Sequence, residues 1–406
     1  MIDQSKKNFI WNFIGITFNT LNSFLFSIIA NRINGMEIAG MFAYGYAIAC
    51  LLWIVSIFFN RVFQVSNLEI KDKTFIKSRY ITCFIMFILS IAIAFVSSNN
   101  ITKIIIIILL CLFRNIEAVS DIYYGIFQKN DKLDYVGKSM FIKAILGIII
   151  LTIVDYLTKD IIASIVGLLI VNVIGTFVDI YMCQKYIREN KDKSKSEDII
   201  KIFKLALPIF LFSFLSIGLV NMQKYFIGFL ETEEIQDIFN IIIMPATIMS
   251  LCGQYLAIPF MKTLNDSFIK KEYDKFDKVN IKIMLILFAV GVIATICIYF
   301  IGISVLEIIY KVPLKEYSIG ICAIVIISIF YALTAILSTS LTIMKKNSQQ
   351  LIIYAIVTTI AAISSFILIK KFSINGAVIS YCSSLAVQFI MYLGYYKYSL
   401  KKIKGN

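Results

Sequence analysis

The 406-residue chain has no histidine, four prolines, two tryptophans and only 16% charged residues. Without histidine it lacks the commonest metal ligand and the usual proton shuttle near neutral pH. No Ser/His/Asp set can be assembled, so no cofactor, metal centre or catalytic residue is expected. The eight cysteines contain no CxxC pair and nearly all lie in apolar runs. They read as small core residues, not as a disulfide or zinc framework. No GxxxxGK[ST] phosphate loop occurs, and no loop is long enough for an ATPase domain. The shortage of charge is the most restrictive absence. Soluble domains carry roughly 25% charged and 45–50% apolar residues, against 16% and 59% here. A soluble enzyme, a disordered chain and a nucleic-acid-binding domain are excluded.

What remains is membrane. Apolar stretches bounded by polar clusters give twelve spans, roughly 9–31, 38–62, 80–98, 104–127, 140–157, 161–184, 205–230, 237–260, 283–303, 318–342, 350–369 and 374–397, each near the ~20 residues that a bilayer-crossing helix needs. The opening MIDQSKKNF leads into a full-length apolar run without a small-residue cleavage site. It reads as the start of a first span and not as a removable signal.

The net charge of +14 follows from topology. With both termini cytoplasmic, 28 of the 39 Lys and Arg residues fall on inside segments and 7, Lys103 among them, on outside ones, as the positive-inside rule requires. Four lie within spans: Arg61, Arg114, Lys143 and Lys224.

The polar stretch from Lys185 to Asp198 divides six spans from six. The expected organisation is a helical bundle over 1–186, a basic linker over 187–204 and a second bundle over 205–406. Gly35–Phe42 and Thr232–Phe239 occupy the same place after the first span of each half and hint at a duplication, a common transporter plan. The basic stretch from Lys262 to Lys282 carries Phe268, Tyr273, Phe276 and Val279. It reads either as an amphipathic helix on the anionic inner leaflet or as a solvated loop. Pro208, Pro245 and Pro259 fall in spans seven and eight, where they would kink helices.

Charged groups at bilayer depth cost about 2.5–3.5 kcal/mol on insertion scales and usually face a cavity or a partner. In the fourth span Arg114, Glu117, Asp121, Tyr124 and Gln128 fall within about 80° of arc at 100° per residue. Two readings fit: an ion pair locking helices together, or a cavity wall with an anion-binding Arg114 and two titratable acids. In the first span Asn12, Gly15, Asn19, Asn22 and Ser23 share about 100° of arc; their amides suit either sugar hydroxyls or interhelical hydrogen bonds. Arg61 and Gln64 close the second span near the cytoplasmic face, where Arg61 either snorkels to lipid phosphate or meets a substrate phosphate. Lys224, beside Asn221, lies toward the outer end of the seventh span with the same pair of readings. Cations at three depths suit an anionic cargo such as a phosphate or diphosphate.

Several stretches together resemble a known family. They are the opening KKNFIWNFIG, the turn NRINGMEIAGMF, NRVFQVSN after the second span, RNIEAVSDIYYGIFQKNDKLDYVGKSMFIK across the fourth, LPIFLFSFL and VNMQKYFIG in the seventh, and EIQDIFNIIIMPATIMSL leading into the eighth. The chain resembles polysaccharide or lipid-linked oligosaccharide flippases of the multidrug/oligosaccharidyl-lipid/polysaccharide exporter superfamily. Asn67 stands where relatives often carry an acid, so no role for a carboxylate transfers to it.

The resemblance implies two six-helix bundles around a central cavity, in an all-α polytopic protein of the bacterial plasma membrane. The implied cargo is an undecaprenyl-diphosphate-linked oligosaccharide moved to the outer leaflet, with the bilayer and other surface-polysaccharide assembly proteins as partners. Arg61, Arg114, Lys224, Asn22, Gln64 and Gln128 are the expected substrate contacts, and Glu117 and Asp121 the expected ion-coupling acids. The rival readings are a multidrug exporter of the same superfamily, a non-transporting scaffold of a glycan-synthesis complex and an integral-membrane polymerase.

Overall fold

A computed structural model describes residues 4–67, 69–187 and 196–404. Among them every regular element is helical: α1 (Gln4–Ser56), α2 (Arg61–Ser66), α3 (Asp72–Ser97), α4 (Ile101–Lys129), α5 (Leu133–Thr158), α6 (Ile161–Cys183), α7 (Ser196–Leu230), α8 (Glu233–Ile269), α9 (Tyr273–Cys297), α10 (Ile303–Tyr310), α11 (Ser318–Ile343) and α12 (Asn347–Lys404). One π turn, Ile298–Gly302, joins α9 to α10. Of the linker expected at 187–204, residues 188–195 lie outside the described residues and 196–204 open α7.

At 53 and 58 residues, α1 and α12 are each over twice as long as a bilayer core is thick, at 1.5 Å per residue and about 30 Å. Both are broken: α1 at Gly35 (φ 83°, ψ 174°) and α12 at Ser373 (φ 49°, ψ −126°). Glycine adopts the positive φ of the first break without a Cβ penalty. Each break falls where the sequence places a polar turn between two apolar runs. Eight helical segments among the described residues are long and apolar enough to cross a membrane. Helix α4 is not among them, because Lys103, Arg114, Glu117 and Asp121 interrupt its apolar run.

The chain forms two compact units, Met1–Ile217 and Gly218–Asn406. In the first, α1 and α5 approach closely through Gly15 and Gly137. A Cβ on Gly137 would overlap the main chain of Trp11, and one on Gly15 would overlap the main chain of Gly137. Small residues at such crossings let backbones meet. Gly137→Ala is therefore expected to destabilise the fold by about 1–3 kcal/mol through overpacking. A lower thermal midpoint of the detergent-purified protein would register it; an unchanged midpoint would show that the two helices separate at no cost.

Helix α1 stops at Ser56, and the chain turns before α2. Asn60 caps α2, its Oδ1 accepting from the Phe63 amide at 2.9 Å. Arg61 and Gln64 therefore belong to a separate short helix, a correction to their reading as the end of the second span. Phe59, Phe63, Phe75, Tyr123 and Phe127 form a buried cluster that seats α2 against α3 and α4. Gln64 is fully buried and donates to the Ile122 carbonyl at 3.0 Å. The absence of a side chain at Gly125 admits it, since a Cβ there would overlap the Gln64 amide.

The second unit packs α9, α11 and α12 around Asn280. The Asn280 amide donates to the Phe276 carbonyl and the Tyr396 hydroxyl, both at 3.1 Å, and its oxygen accepts from Ser340 at 2.6 Å. The basic stretch from Lys262 to Lys282 is neither a flat surface helix nor a long loop. It is the end of α8, a tight turn and the start of α9, with Phe268 packed against Tyr273 and Phe276. Helices α7 and α8 continue through Pro208, Pro245 and Pro259. The two segments that hint at duplication share a register: Phe42 and Phe239 are each fully buried in their own unit.

Candidate functional site

The stripe read on α4 lies in the first unit, where four helices answer it with charge. Arg114 donates to Glu117 one turn on at 2.5 Å and to the Tyr46 hydroxyl of α1 at 2.6 Å. Its guanidinium lies 4.8 Å from the Tyr46 ring centroid and 5.7 Å from that of Trp53, within cation–π range. Asp121 accepts from Arg61 Nε at 2.7 Å and stands 3.6 Å from Arg79 Nη2. One acid thus serves two arginines, one from α2 and one from α3. Lys143 of α5 donates to Asp179 of α6 at 2.6 Å and to Ser120 of α4 at 2.7 Å, with the Tyr124 hydroxyl at 3.3 Å.

Arg61, Arg114, Glu117, Asp121, Tyr124 and Lys143 border one cavity of about 100 Å³, together with Asn19 and Trp53, while Arg79 and Asp179 stand behind its wall. That is well below the 300–1,000 Å³ of a typical ligand pocket; the acids fold the cations inward instead of leaving them spread. The cluster of Arg61, Arg79, Arg114 and Lys143 faces Glu117, Asp121 and Asp179, which leaves one positive charge in excess. Two buried donors of lining residues, Arg114 Nε and Trp53 Nε1, have no acceptor among the described residues. A buried donor without an acceptor is costly.

Of the residues expected from the sequence, the structure brings Arg61, Arg114, Glu117 and Asp121 together here. It does not bring the expected amide contacts Gln64, Asn22 and Gln128 with them. Gln64 is fixed to the Ile122 carbonyl, and Asn22 is buried with its amide 3.4 Å from the Ala144 carbonyl. Gln128 lies a full turn beyond the lining, at the end of α4. Lys224 belongs to the second unit, where it donates to Asn240 at 2.8 Å.

Sequence reasoning missed Arg79, Lys143 as a site residue, and Asp179. Arg79 counts as a topological charge beside Lys71, Lys73 and Lys77, yet it is 1% exposed. Lys103, read as an outer-loop charge, is likewise buried, with its ammonium 4.5 Å from the centre of the Tyr44 ring. The available signal for Lys143 and Asp179 was that each is a charge set within an apolar run. Gly175 opens the path for the Lys143 stem, since a Cβ there would overlap it.

Residues 5–264 match the polysaccharide biosynthesis protein family. The chain belongs to that family. A curated relative is the capsular polysaccharide biosynthesis protein CapF of Staphylococcus aureus. It is 25% identical over 401 residues, covering 96% of this chain and 99% of the relative. Among solved structures, the lipid II flippase MurJ in an inward closed conformation is similar with a TM-score of 0.71 at 18% identity, over 99% of this chain and 90% of that one. An inward-facing multidrug resistance transporter of the MOP superfamily gives 0.72 at 13%, over 97% and 99%. The fold of this polysaccharide biosynthesis protein is therefore the one those transporters share, and it is a multi-pass membrane protein, as the sequence leads one to expect.

Proposed function

We propose that the protein is a flippase that moves an undecaprenyl-diphosphate-linked oligosaccharide from the inner to the outer leaflet for surface polysaccharide assembly. The observation that carries this reading is the α4 wall, where paired cations exceed their acids by one charge. A diphosphate supplies both the negative charge and the acceptor oxygens. Arginine suits it because its planar fork binds phosphate in a bidentate way. A carrier of hydrophobic cations calls for an excess of acid, the opposite of this cluster. The family match and the flippase among the structural neighbours support the pathway and the class of movement.

In this reading the chain has twelve spans, with the breaks at Gly35 and Ser373 separating four of them, and both termini are cytoplasmic. Residues 1–186 and 205–406 are the two halves, and they work by alternating access. Arg114 is the central anion contact, with Arg61, Lys143 and Lys224 contributing further charge; Gln64 and Asn22 position helices. Glu117 and Asp121 hold the arginines in the absence of cargo. Cargo phosphate and the acids compete for the same guanidinium groups, so protonation or Na⁺ binding at an acid frees a cation for cargo.

In cells without the protein, lipid-linked repeat units are expected to accumulate on the inner leaflet while surface polysaccharide disappears. Normal surface polysaccharide in such cells would overturn the reading. For coupling, Glu117→Gln is expected to weaken the response of transport to an imposed pH or Na⁺ gradient at least tenfold in vesicles. An unaltered response would remove Glu117 from coupling.

A further inference from the structure

We infer that the second unit binds one anionic glycerophospholipid in a groove between α9, α11 and α12. The groove encloses about 710 Å³. Its walls are apolar: Leu285 and Phe288 of α9, Phe330 of α11, and Phe389 and Leu393 of α12 line it. Leu285 and Phe288 are exposed, so the groove opens on the lipid-facing side of its unit. One end is cationic. Lys397, Lys401 and Lys404 line it from the last turns of α12.

The charges at that end are unevenly matched. Lys404 is held by Asp274 at 2.7 Å. Asp277, the acid of the lining, accepts from the Tyr396 hydroxyl at 3.0 Å. Lys397 and Lys401 pair with no acid among the described residues. They stand four apart on one helix face, where like charges repel, so an anion between them relieves that repulsion.

Depth selects the occupant. From Lys397 and Lys401 back to Phe389 is 8 to 12 residues, or about 12–18 Å at 1.5 Å per residue. That is near half of the ~30 Å hydrocarbon core, the depth of one leaflet. A fatty acyl chain fills it while its phosphodiester reaches the lysines. The undecaprenyl tail of the proposed cargo is far longer than the groove, and this site is independent of which cargo the protein moves.

The test uses the full chain in nanodiscs, with photoreactive acyl-chain probes of phosphatidylglycerol and phosphatidylcholine and peptide mapping of the labels. Phosphatidylglycerol is expected to label residues 281–288 and 389–393 at least fivefold more than other lipid-facing segments. The double variant Lys397→Gln/Lys401→Gln is expected to remove that excess. Met284→Trp, which fills the groove without touching its charge, is expected to remove it as well. Equal labelling by phosphatidylcholine, undiminished labelling of the lysine variant, or displacement of the probe by undecaprenyl phosphate in preference to phosphatidylglycerol would each overturn the inference.

Discussion

Arg114→Gln is expected to cut transport on the order of 100-fold, the loss of one charge-assisted contact worth about 3 kcal/mol. The single variant also strands Glu117. Breaking a fully buried pair by removing one partner costs about 3–5 kcal/mol and this half-buried pair costs less, but loss of transport alone would still not separate a binding role from a structural one. The double variant Arg114→Gln/Glu117→Gln does. Two amides one turn apart can hydrogen-bond to each other, and no charge is left without a partner, so the fold is expected to return. Transport is not, because the cation that meets the cargo is still missing. Surface polysaccharide per unit of folded protein, measured for both variants, is the readout. A double variant with normal transport would reduce Arg114 to a helix lock. Arg114→Lys is expected to fall between, because an ammonium supplies charge without the bidentate fork.

The largest effect on stability is expected at Arg79, with Arg79→Ala losing about 3–5 kcal/mol. Its guanidinium donates to the Ser56 carbonyl at 2.7 Å and the Phe59 carbonyl at 3.2 Å, which ties off the end of α1, where helices leave carbonyls without partners. It also lies 4.6 Å from the centre of the Phe59 ring and 3.6 Å from Asp121. No other side chain can make all four contacts. Arg79→Lys is therefore expected to recover only part of the loss, having one donor nitrogen where the guanidinium fork has separate nitrogens for the two carbonyls. Thermal unfolding in detergent checks this, and an unchanged midpoint for Arg79→Ala would contradict it.

The helical architecture was legible because lipid imposes one rule, apolar side chains over about 20 residues, and the sequence obeys it. Helix ends were less so. The ninth apolar run begins near residue 283, but α9 begins at Tyr273, because backbone hydrogen bonding continues past the hydrocarbon boundary. The break before α2 carries neither proline nor glycine; Asn60 and the turn around Phe58 and Phe59 make it. In the site, the Arg114–Glu117 pair was legible as one face of one helix. Arg79 was hidden by neighbouring loop lysines of the same charge. The Lys143–Asp179 pair depends on the register of α5 against α6, which no single-helix periodicity contains.

The most direct measurement is translocation by the purified protein in vesicles that carry a fluorescent undecaprenyl-diphosphate oligosaccharide on one leaflet. Folded protein should expose the label to an impermeant quencher on the opposite side far faster than protein-free vesicles do. A labelled phospholipid in the same vesicles should stay where it was placed. Oligosaccharide that crosses no faster than in protein-free vesicles, with protein of wild-type thermal midpoint, would contradict the flippase reading.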